Sequence, residues 1–433
     1  MLPIKTVIYL ILLAIGVIGG VIYHPLIGII GYMLTYNINP AGQWWGSVVV
    51  DWGIRYSLIL ATATAVGILL QRRKLVYKRF FETQEVLLIV FVGLIWLSLL
   101  IGLGYNPEVS NAWKMTKVAI IIFMGSHVIT DLKRYESMLW TLIIAGLYLG
   151  IETYVAPDWM FQGGRLAGGR GLAGSDFSEG NFLGAHFAML LPFIGVMFLK
   201  GVWKSKLVCL VSGVFVTNGI ILSRSRGIFL ALAAGVISAV VFSIKQRRMK
   251  IMFGLSVGIM GAILLTDPGF WNRMDEISVE SSKIDKSTKG RILAWDAALS
   301  MALDYPLGIG EGNFRKYVDK YKPDIPGKDT HNTFLRCLSE LGVQGLIVYL
   351  LMIANAFNIL RKLKKQVKGM DRQSDFVWHI YGIKISIILF VSAGMFISHT
   401  YIEELYWLLM FPVFLKRSVE NQLSKEKVAT VNP

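Results

Sequence analysis

The sequence has few charged side chains and few cysteines, and it lacks the short patterns that most metal sites use. Only 17% of its 433 residues are charged, whereas soluble domains carry about a quarter. The two cysteines, Cys209 and Cys337, fall in apolar segments and predict no disulfide framework. The six histidines form no His-x-x-x-His pair, and no Asp-x-Asp pair falls in a loop predicted to face outward. We therefore expect neither a bound metal nor a cofactor.

Long apolar runs take the place of the missing charges. Hydrophobic residues make up 54% of the chain, and stretches such as 86–103 and 227–244 are almost free of charge. Runs of about 20 residues match the hydrocarbon thickness of a bilayer, and continuous runs favour helices over strands. We predict an all-α polytopic membrane protein with about twelve transmembrane helices. The predicted crossings are one net crossing within 7–36, then 54–70, 85–103, 114–130, 137–154, 181–199, 205–222, 227–244, 251–265, 333–360, 376–396 and 401–415.

The net charge of +16 comes from basic side chains that gather in alternate loops between the apolar runs. Cytoplasmic loops are rich in Lys and Arg, so this pattern predicts the orientation in the membrane rather than nucleic-acid binding. The loops 71–79, 245–250 and 361–372 are then cytoplasmic, and so are both termini.

Four regions follow from this topology. Residues 1–265 hold nine membrane helices and a glycine-rich outer loop at 155–180. Residues 266–332 form a large outer-face (periplasmic) loop with short helices, 333–415 hold the remaining membrane helices, and 416–433 form a cytoplasmic tail. Within the large loop, Ile292, Trp295, Ala298 and Leu299 have helical spacing. They predict an amphipathic helix at the membrane face, which is either a lid over an active site or a plain surface helix.

Two segments predicted to face outward carry a pair of arginines each, and the pair between two apolar helices goes against the positive-inside trend. Arg224 and Arg226 occupy a Ser-Arg-Ser-Arg-Gly segment between two apolar helices, and Arg165 and Arg170 stand in a glycine-rich segment. The planar guanidinium fork suits phosphate oxygens, so these segments predict a diphosphate clamp. The alternatives are arginines that reach lipid headgroups and, for the glycine-rich segment, a flexible connector.

His331 stands where the large loop re-enters the membrane. Asn332 follows it, and after nine intervening residues comes Gly342-Val343-Gln344-Gly345. A neutral histidine at such a place can take a proton from a hydroxyl, although a single histidine is more often structural. Glu340, on the helix that follows, either orients the imidazole or belongs to packing.

Three segments together resemble the superfamily of O-antigen ligases and related polymerases, over roughly residues 164–360. They are the turn ending at Arg226, the stretch from Gly290-Arg291 through Phe314, and His331-Asn332 with the later Gly-x-x-Gly. Near the N-terminus, Asn39-Pro40 and Gln43-Trp44-Trp45 are similar to the branch of O-glycosylation ligases linked to exosortase systems.

The resemblance implies a glycosyltransferase of the bacterial inner membrane that acts in lipopolysaccharide or polysaccharide biosynthesis. A glycan on polyprenyl (undecaprenyl) diphosphate would pass to an acceptor hydroxyl without metal or nucleotide, because the donor is already activated. By position, His331 would be the base, Arg226 a diphosphate ligand and Arg224 its neighbour. Either Arg165 or Arg170 would take the place of the family's earlier outer-face arginine. The supporting residues would be Asn332, Glu340 and Arg291.

The acceptor is open at this stage: it can be a lipid A-core, a growing polysaccharide or a protein hydroxyl. The protein's partners would be the lipid-linked donor, that acceptor and the bilayer. A flippase for lipid-linked glycans is the alternative of another class. Transporters of that kind show broken helices in paired halves and charges at the midplane, and this sequence shows neither halves nor such charges.

Overall fold

The computed structural model describes residues 2–71, 80–105, 107, 110–162, 165–166, 175–177, 179–243, 248–264, 266, 286–370 and 372–431. Within these ranges the only sheet is a two-stranded hairpin, Phe161–Gln162 (β1) paired with Arg165–Leu166 (β2). The helices are α1 (Ile4–Ile22), α2 (Pro25–Asn37), α3 (Ser47–Asp51), α4 (Tyr56–Leu70), α5 (Thr83–Ile101), α6 (Ala112–Val128), α7 (Leu132–Tyr154), α8 (Gly180–Lys200), α9 (Trp203–Ser223), α10 (Arg226–Val241), α11 (Arg248–Leu264), α12 (Lys286–Asp304), α13 (Phe314–Tyr321), α14 (Thr333–Gln366), α15 (Gln373–Ala393) and α16 (Glu403–Val431).

Seven of the described helices are long and apolar enough to cross a membrane, and α4 and α10 are shorter apolar helices. Helices suit that environment because each satisfies its backbone hydrogen bonds within one segment. The predicted all-α polytopic membrane fold is therefore confirmed. The number of about twelve crossings stays a prediction. The long helices that span are α1, α5, α7, α8, α9, α14 and α15.

The helices form one bundle whose two ends differ in chemistry. At one end lies the segment that carries His331, and we call it the His331 end. At the other, the Arg417 end, Arg417 of α16 contacts Glu85 at the start of α5. The end of α8 meets the starts of α7 and α15 there, where Lys200 contacts Glu136 and Asp375. The predicted tail from residue 416 onward is the second half of α16.

The first two helices differ from the predicted single net crossing. α1 and α2 pack as an antiparallel pair, because Gly20 approaches Gly28 while Gly16 approaches Gly31. The start of α1 consequently lies at the His331 end, where Lys5 pairs with Glu152 near the end of α7. α16, in contrast, ends at the Arg417 end. In this bundle the start of α1 and the end of α16 therefore lie at opposite ends, because the 13-residue α2 runs back beside α1. The side of the membrane on which each terminus lies stays a prediction.

Part of the predicted large loop is an ordered subdomain with a core of its own. Its apolar core is separate from that of the bundle and brings together α12, α13 and the segment before α14. On α12, Ala298 of the predicted stripe packs into this core, whereas Ile292 and Leu299 of the stripe are about half exposed at 49% and 48%. Small side chains make close packing possible on the opposite face. That face consists of Ala294, Ala297, Ala298 and Met301.

Candidate functional site

His331 has a backbone conformation that few non-glycine residues adopt. Its φ is +46°, in the left-handed region. Both neighbours hold it there. Thr330 accepts a hydrogen bond on its carbonyl from the Trp295 indole at 2.9 Å. The Asn332 side chain caps α14 by accepting from the backbone N–H groups of Phe334 and Leu335, each at 3.0 Å. Strained residues of this kind cluster at functional sites, because the surroundings must enforce them.

A carboxylate that sequence reasoning missed lies beside the histidine. Asp329 is buried and accepts hydrogen bonds from Arg315 at 3.0 Å and from the Ser398 hydroxyl at 3.1 Å. Arg336 Nη1 lies 3.6 Å from the same carboxylate. Burial alone would raise the pKa of Asp329, but Arg336 and Arg315 hold it down to about 2. Asp329 is therefore an anion at neutral pH.

The electrostatic surroundings keep the imidazole of His331 neutral. Burial is the largest influence and lowers the pKa of His331, and the nearby cations lower it further, while Asp329 opposes them. A neutral imidazole is the form that accepts a proton. The three cations that lower the pKa are Arg291, Lys328 and Arg315.

Glu340, one of the predicted supporting residues, braces the helices around the site. It is fully buried and accepts hydrogen bonds from the Tyr401 hydroxyl at 2.8 Å, from Arg336 at 3.3 Å and from the backbone N–H of Phe314 at 3.2 Å. Of the two interpretations that the sequence left open, this geometry fits packing. The carboxylate near His331 is Asp329.

The Gly-Val-Gln-Gly segment interrupts α14. Gly342 has φ +73° and ψ −174°, and a Cβ there would lie 2.6 Å from the Pro306 carbonyl oxygen. Only glycine tolerates both conditions. The break allows the loop before α13 to dock, with Val343 N–H donating to Pro306 at 3.0 Å and Gly310 N–H to Glu340 at 3.0 Å. Glycine is thus required here by the close approach of two backbones.

The predicted arginine turn is a tight link between α9 and α10. Arg224 has φ +43°, and α10 begins at Arg226. Arg165 reaches this turn from β2: its Nε donates to the Ser223 carbonyl at 3.0 Å, and its Nη2 donates to the Asn181 side chain. Arg165 is thus the glycine-loop arginine that the structure brings to the turn. Arg170 lies outside the described residues.

One short connection joins the arginine turn to His331. Residues 394–402 link α15 to α16, and within them Met395 accepts a hydrogen bond from the Asn332 side chain at 3.2 Å. The next residue, Phe396, packs against Gly227, where an added Cβ would lie 2.5 Å from it. Consecutive Cα atoms are about 3.8 Å apart. Asn332 and Gly227, the residues that follow His331 and Arg226, therefore contact adjacent residues of this connection, whereas a shared pocket for the His331 and Arg226 side chains stays a prediction.

Two further observations bear on the chemistry. Among the described residues, no group of three or more His, Cys, Asp or Glu side chains could hold a metal ion. Arg291, predicted as a supporting residue, lies on α12 among the cations that lower the pKa of His331.

Comparison with known proteins supports the resemblance. Residues 211–350 match the family model described as O-antigen ligase. This region runs from α9 into α14 and includes Arg224, Arg226, Arg291, His331 and Glu340. No curated protein matches the chain, and the exosortase-linked branch stays a prediction. Over these residues the chain is similar to that family, and the match supports a membrane protein of the glycan ligase or polymerase kind.

Proposed function

We propose that the protein transfers a glycan from a polyprenyl-diphosphate carrier to an acceptor hydroxyl at the outer face of the inner membrane. The observation that carries this proposal is His331, held in a left-handed conformation beside three cations and one carboxylate within the family-matched region. A neutral base with cations nearby suits a reaction in which a hydroxyl loses a proton while an anion leaves.

The reaction would proceed in one displacement. His331 would take the proton of the acceptor hydroxyl as its oxygen forms a bond to the anomeric carbon. The bond from that carbon to the diphosphate oxygen would break, and the diphosphate would leave with the electron pair. Arg226, with Arg224 beside it, would stabilise the growing charge, while Arg165 would hold the arginine turn in place. Direct displacement inverts the configuration at the anomeric carbon.

We place the His331 end outside. The Arg417 end gathers the basic residues of successive turns, and such residues stay in the cytoplasm. The start of α1 would then face outward and the end of α16 inward. The predicted cytoplasmic loops at 71–79 and 245–250 stay predictions, because 72–79 and 244–247 lie outside the described residues.

Each of three acceptor classes would define a different enzyme that carries out the same type of transfer. A lipid A-core acceptor makes a lipopolysaccharide ligase, a growing chain makes a polymerase, and a protein Ser or Thr makes an O-glycosylation ligase. All three would use the same base and the same leaving group. A flippase, by contrast, moves the donor without breaking its bond.

Reconstitution tests the proposal. Purified protein in nanodiscs is supplied with a lipid-linked glycan and with lipid, glycan and peptide acceptors. We expect one acceptor class to become modified while polyprenyl diphosphate is released, with the same yield after EDTA treatment. Movement of donor across liposomes without release of diphosphate would contradict the proposal. A loss of activity that Mg²⁺ restores would contradict its metal independence.

A further inference from the structure

The outward face of α12 carries three exposed apolar side chains around Asp296. Leu303 is 81% exposed, and Ile292 and Leu299 on the same face are about half exposed. These residues recur at i, i+7 and i+11, which keeps them on one side of a helix with 3.6 residues per turn. The opposite side packs into the core of the subdomain. An exposed apolar ridge on an otherwise packed helix calls for a partner that covers it.

The ridge continues onto a helix that crosses the membrane. Leu307, 61% exposed, is fixed against the break in α14 because its carbonyl accepts from the Gln344 side chain at 2.8 Å. Beyond the break, Val343 and Ile347 are about half exposed, at 47% and 51%, on a helix apolar enough to span the bilayer. The exposed apolar surface therefore runs from α12 through Leu307 onto α14.

We propose that α12 rests in the headgroup layer of the outer leaflet, with Ile292, Leu299, Leu303 and Leu307 in contact with lipid. Lipid is the partner that the continuous apolar surface indicates. The lipid that covers the exposed apolar face of α14 also reaches the ridge that extends from α14 through Leu307 onto α12. Helices that lie in the interface bury their apolar face about 5–10 Å into the headgroup and acyl boundary. Asp296, on the same side of α12, is paired with Lys322, so its charge does not oppose this position.

The proposed position fixes the depth of the candidate site. α12 carries Trp295, which bonds to Thr330, and Arg291, which lies near His331. A helix seated in the headgroups therefore holds His331 at the level of a diphosphate whose lipid tail stays in the bilayer. It follows that the acceptor hydroxyl is presented at the membrane surface, as by an acceptor that is itself membrane-anchored. This consequence rests on the proposed function, whereas the seating of α12 does not.

Depth-dependent quenching tests the seating directly. Single cysteines replace Leu303, Leu307 and, as a matched control in the same subdomain, the exposed Lys320 of α13. The native Cys209 and Cys337 are free and buried, so labelling is directed to the new sites. Each full-length variant carries a fluorophore in liposomes of phosphatidylethanolamine and phosphatidylglycerol. Some of these phospholipids have a nitroxide near the top of the acyl chain.

We expect nitroxide lipids to quench the labels at Leu303 and Leu307 strongly and the label at Lys320 weakly, with aqueous iodide giving the reverse order. Equal quenching at the three positions, or stronger iodide quenching at Leu303 than at Lys320, would overturn the proposal. Because Leu303 and Leu307 are largely exposed, these substitutions do not disturb the core. The measurement uses neither donor nor acceptor, so its failure would leave the transfer reaction untested and its success would not depend on activity.

Discussion

The two ends of the bundle use charged residues in different ways. At the Arg417 end the charged side chains form ion pairs. The fully buried Arg417 donates to both oxygens of Glu85 at 3.0 and 3.1 Å, and Lys416 contacts Glu82 at 2.7 Å. At the His331 end, the three cations around the histidine face one nearby carboxylate, Asp329. Paired charges hold helices together, whereas cations beside a neutral base suit a reaction with an anionic leaving group.

The histidines at the two ends show the same contrast. His379, at the Arg417 end, is buried and contacts Glu136 at 2.9 Å, and Glu136 also contacts Lys200. That histidine belongs to a closed cluster that joins α7, α8 and α15. His331 is partly exposed and strained instead. The difference fits a histidine that stabilises the fold at one end and the proposed base at the other.

The largest expected effect is on transfer. His331→Asn should lower the rate of glycan transfer by about 10²–10⁴, because a positioned base contributes that much. Asparagine tolerates the left-handed conformation, so the backbone is kept. Donor binding in nanodiscs should be unchanged. Normal transfer by His331→Asn or His331→Ala would show that the imidazole is not the base.

At the opposite end the expected effect is on stability. Arg417→Ala leaves Glu85 buried without its partner and should lower the free energy of unfolding by about 3–5 kcal/mol. Thermal denaturation in detergent measures the loss. The double variant Glu85→Leu/Arg417→Met should recover much of it, because no charge is left buried. An Arg417→Ala protein as stable as the wild type would show that the pairing of Arg417 with Glu85 does not stabilise the fold.

A smaller effect is expected at the arginine turn. Arg226→Ala should weaken donor binding and transfer together, by roughly 10- to 100-fold, since hydrogen bonds to charged groups contribute about 1.5–3 kcal/mol. Arg226→Lys should recover only part, because lysine lacks the planar fork. Titration with lipid-linked donor measures the affinity, and Arg248→Ala, an exposed arginine at the other end, is the control. Unchanged donor affinity in Arg226→Ala would separate the turn from the donor site.

The finest test concerns pH. Asp329 raises the pKa of His331 against burial and the cations. Asp329→Asn should therefore lower that pKa further, and the acid limb of the kcat/KM profile should move to lower pH. Asp319→Asn, which removes an exposed carboxylate of α13, should leave the profile in place. A shift of the acid limb to higher pH in Asp329→Asn would contradict the assigned neighbourhood of His331.

The fold class could be predicted from the sequence because each segment that crosses a bilayer must by itself be long and apolar enough to do so. Apolar runs of helical length can be read one at a time. The return pass of α2 could not be read in this way, since it depends on Gly16 and Gly20 of α1 meeting Gly31 and Gly28. Packing between glycines leaves no hydropathy signal.

The candidate site was predictable only where the residues lie in recognisable segments. His331 and Arg226 were found from such segments, and their roles stay predictions. Asp329 was missed because its partners, Arg315 and Arg336, reach it only through folding, although its position two residues before His331 was a usable signal. The glycines around Arg165 and Arg170 left open which of the two arginines approaches the arginine turn. The hydrogen bond from Arg165 to the Ser223 carbonyl brings Arg165 to that turn.

The docking of the 306–312 loop has a consequence for biosynthesis. This loop touches a segment made early, since Leu103 N–H donates to the Ile309 carbonyl at 2.8 Å, and a segment made late, since Ile309 N–H donates to the Ser339 carbonyl at 2.9 Å. A ribosome has therefore translated more than three quarters of the 433 residues before these partners can meet. The earlier helices must wait in the membrane with the end of α5 and the start of α6 uncovered. Truncated chains that stop before α14 should therefore be recognised as unfinished by the proteases that survey new membrane proteins.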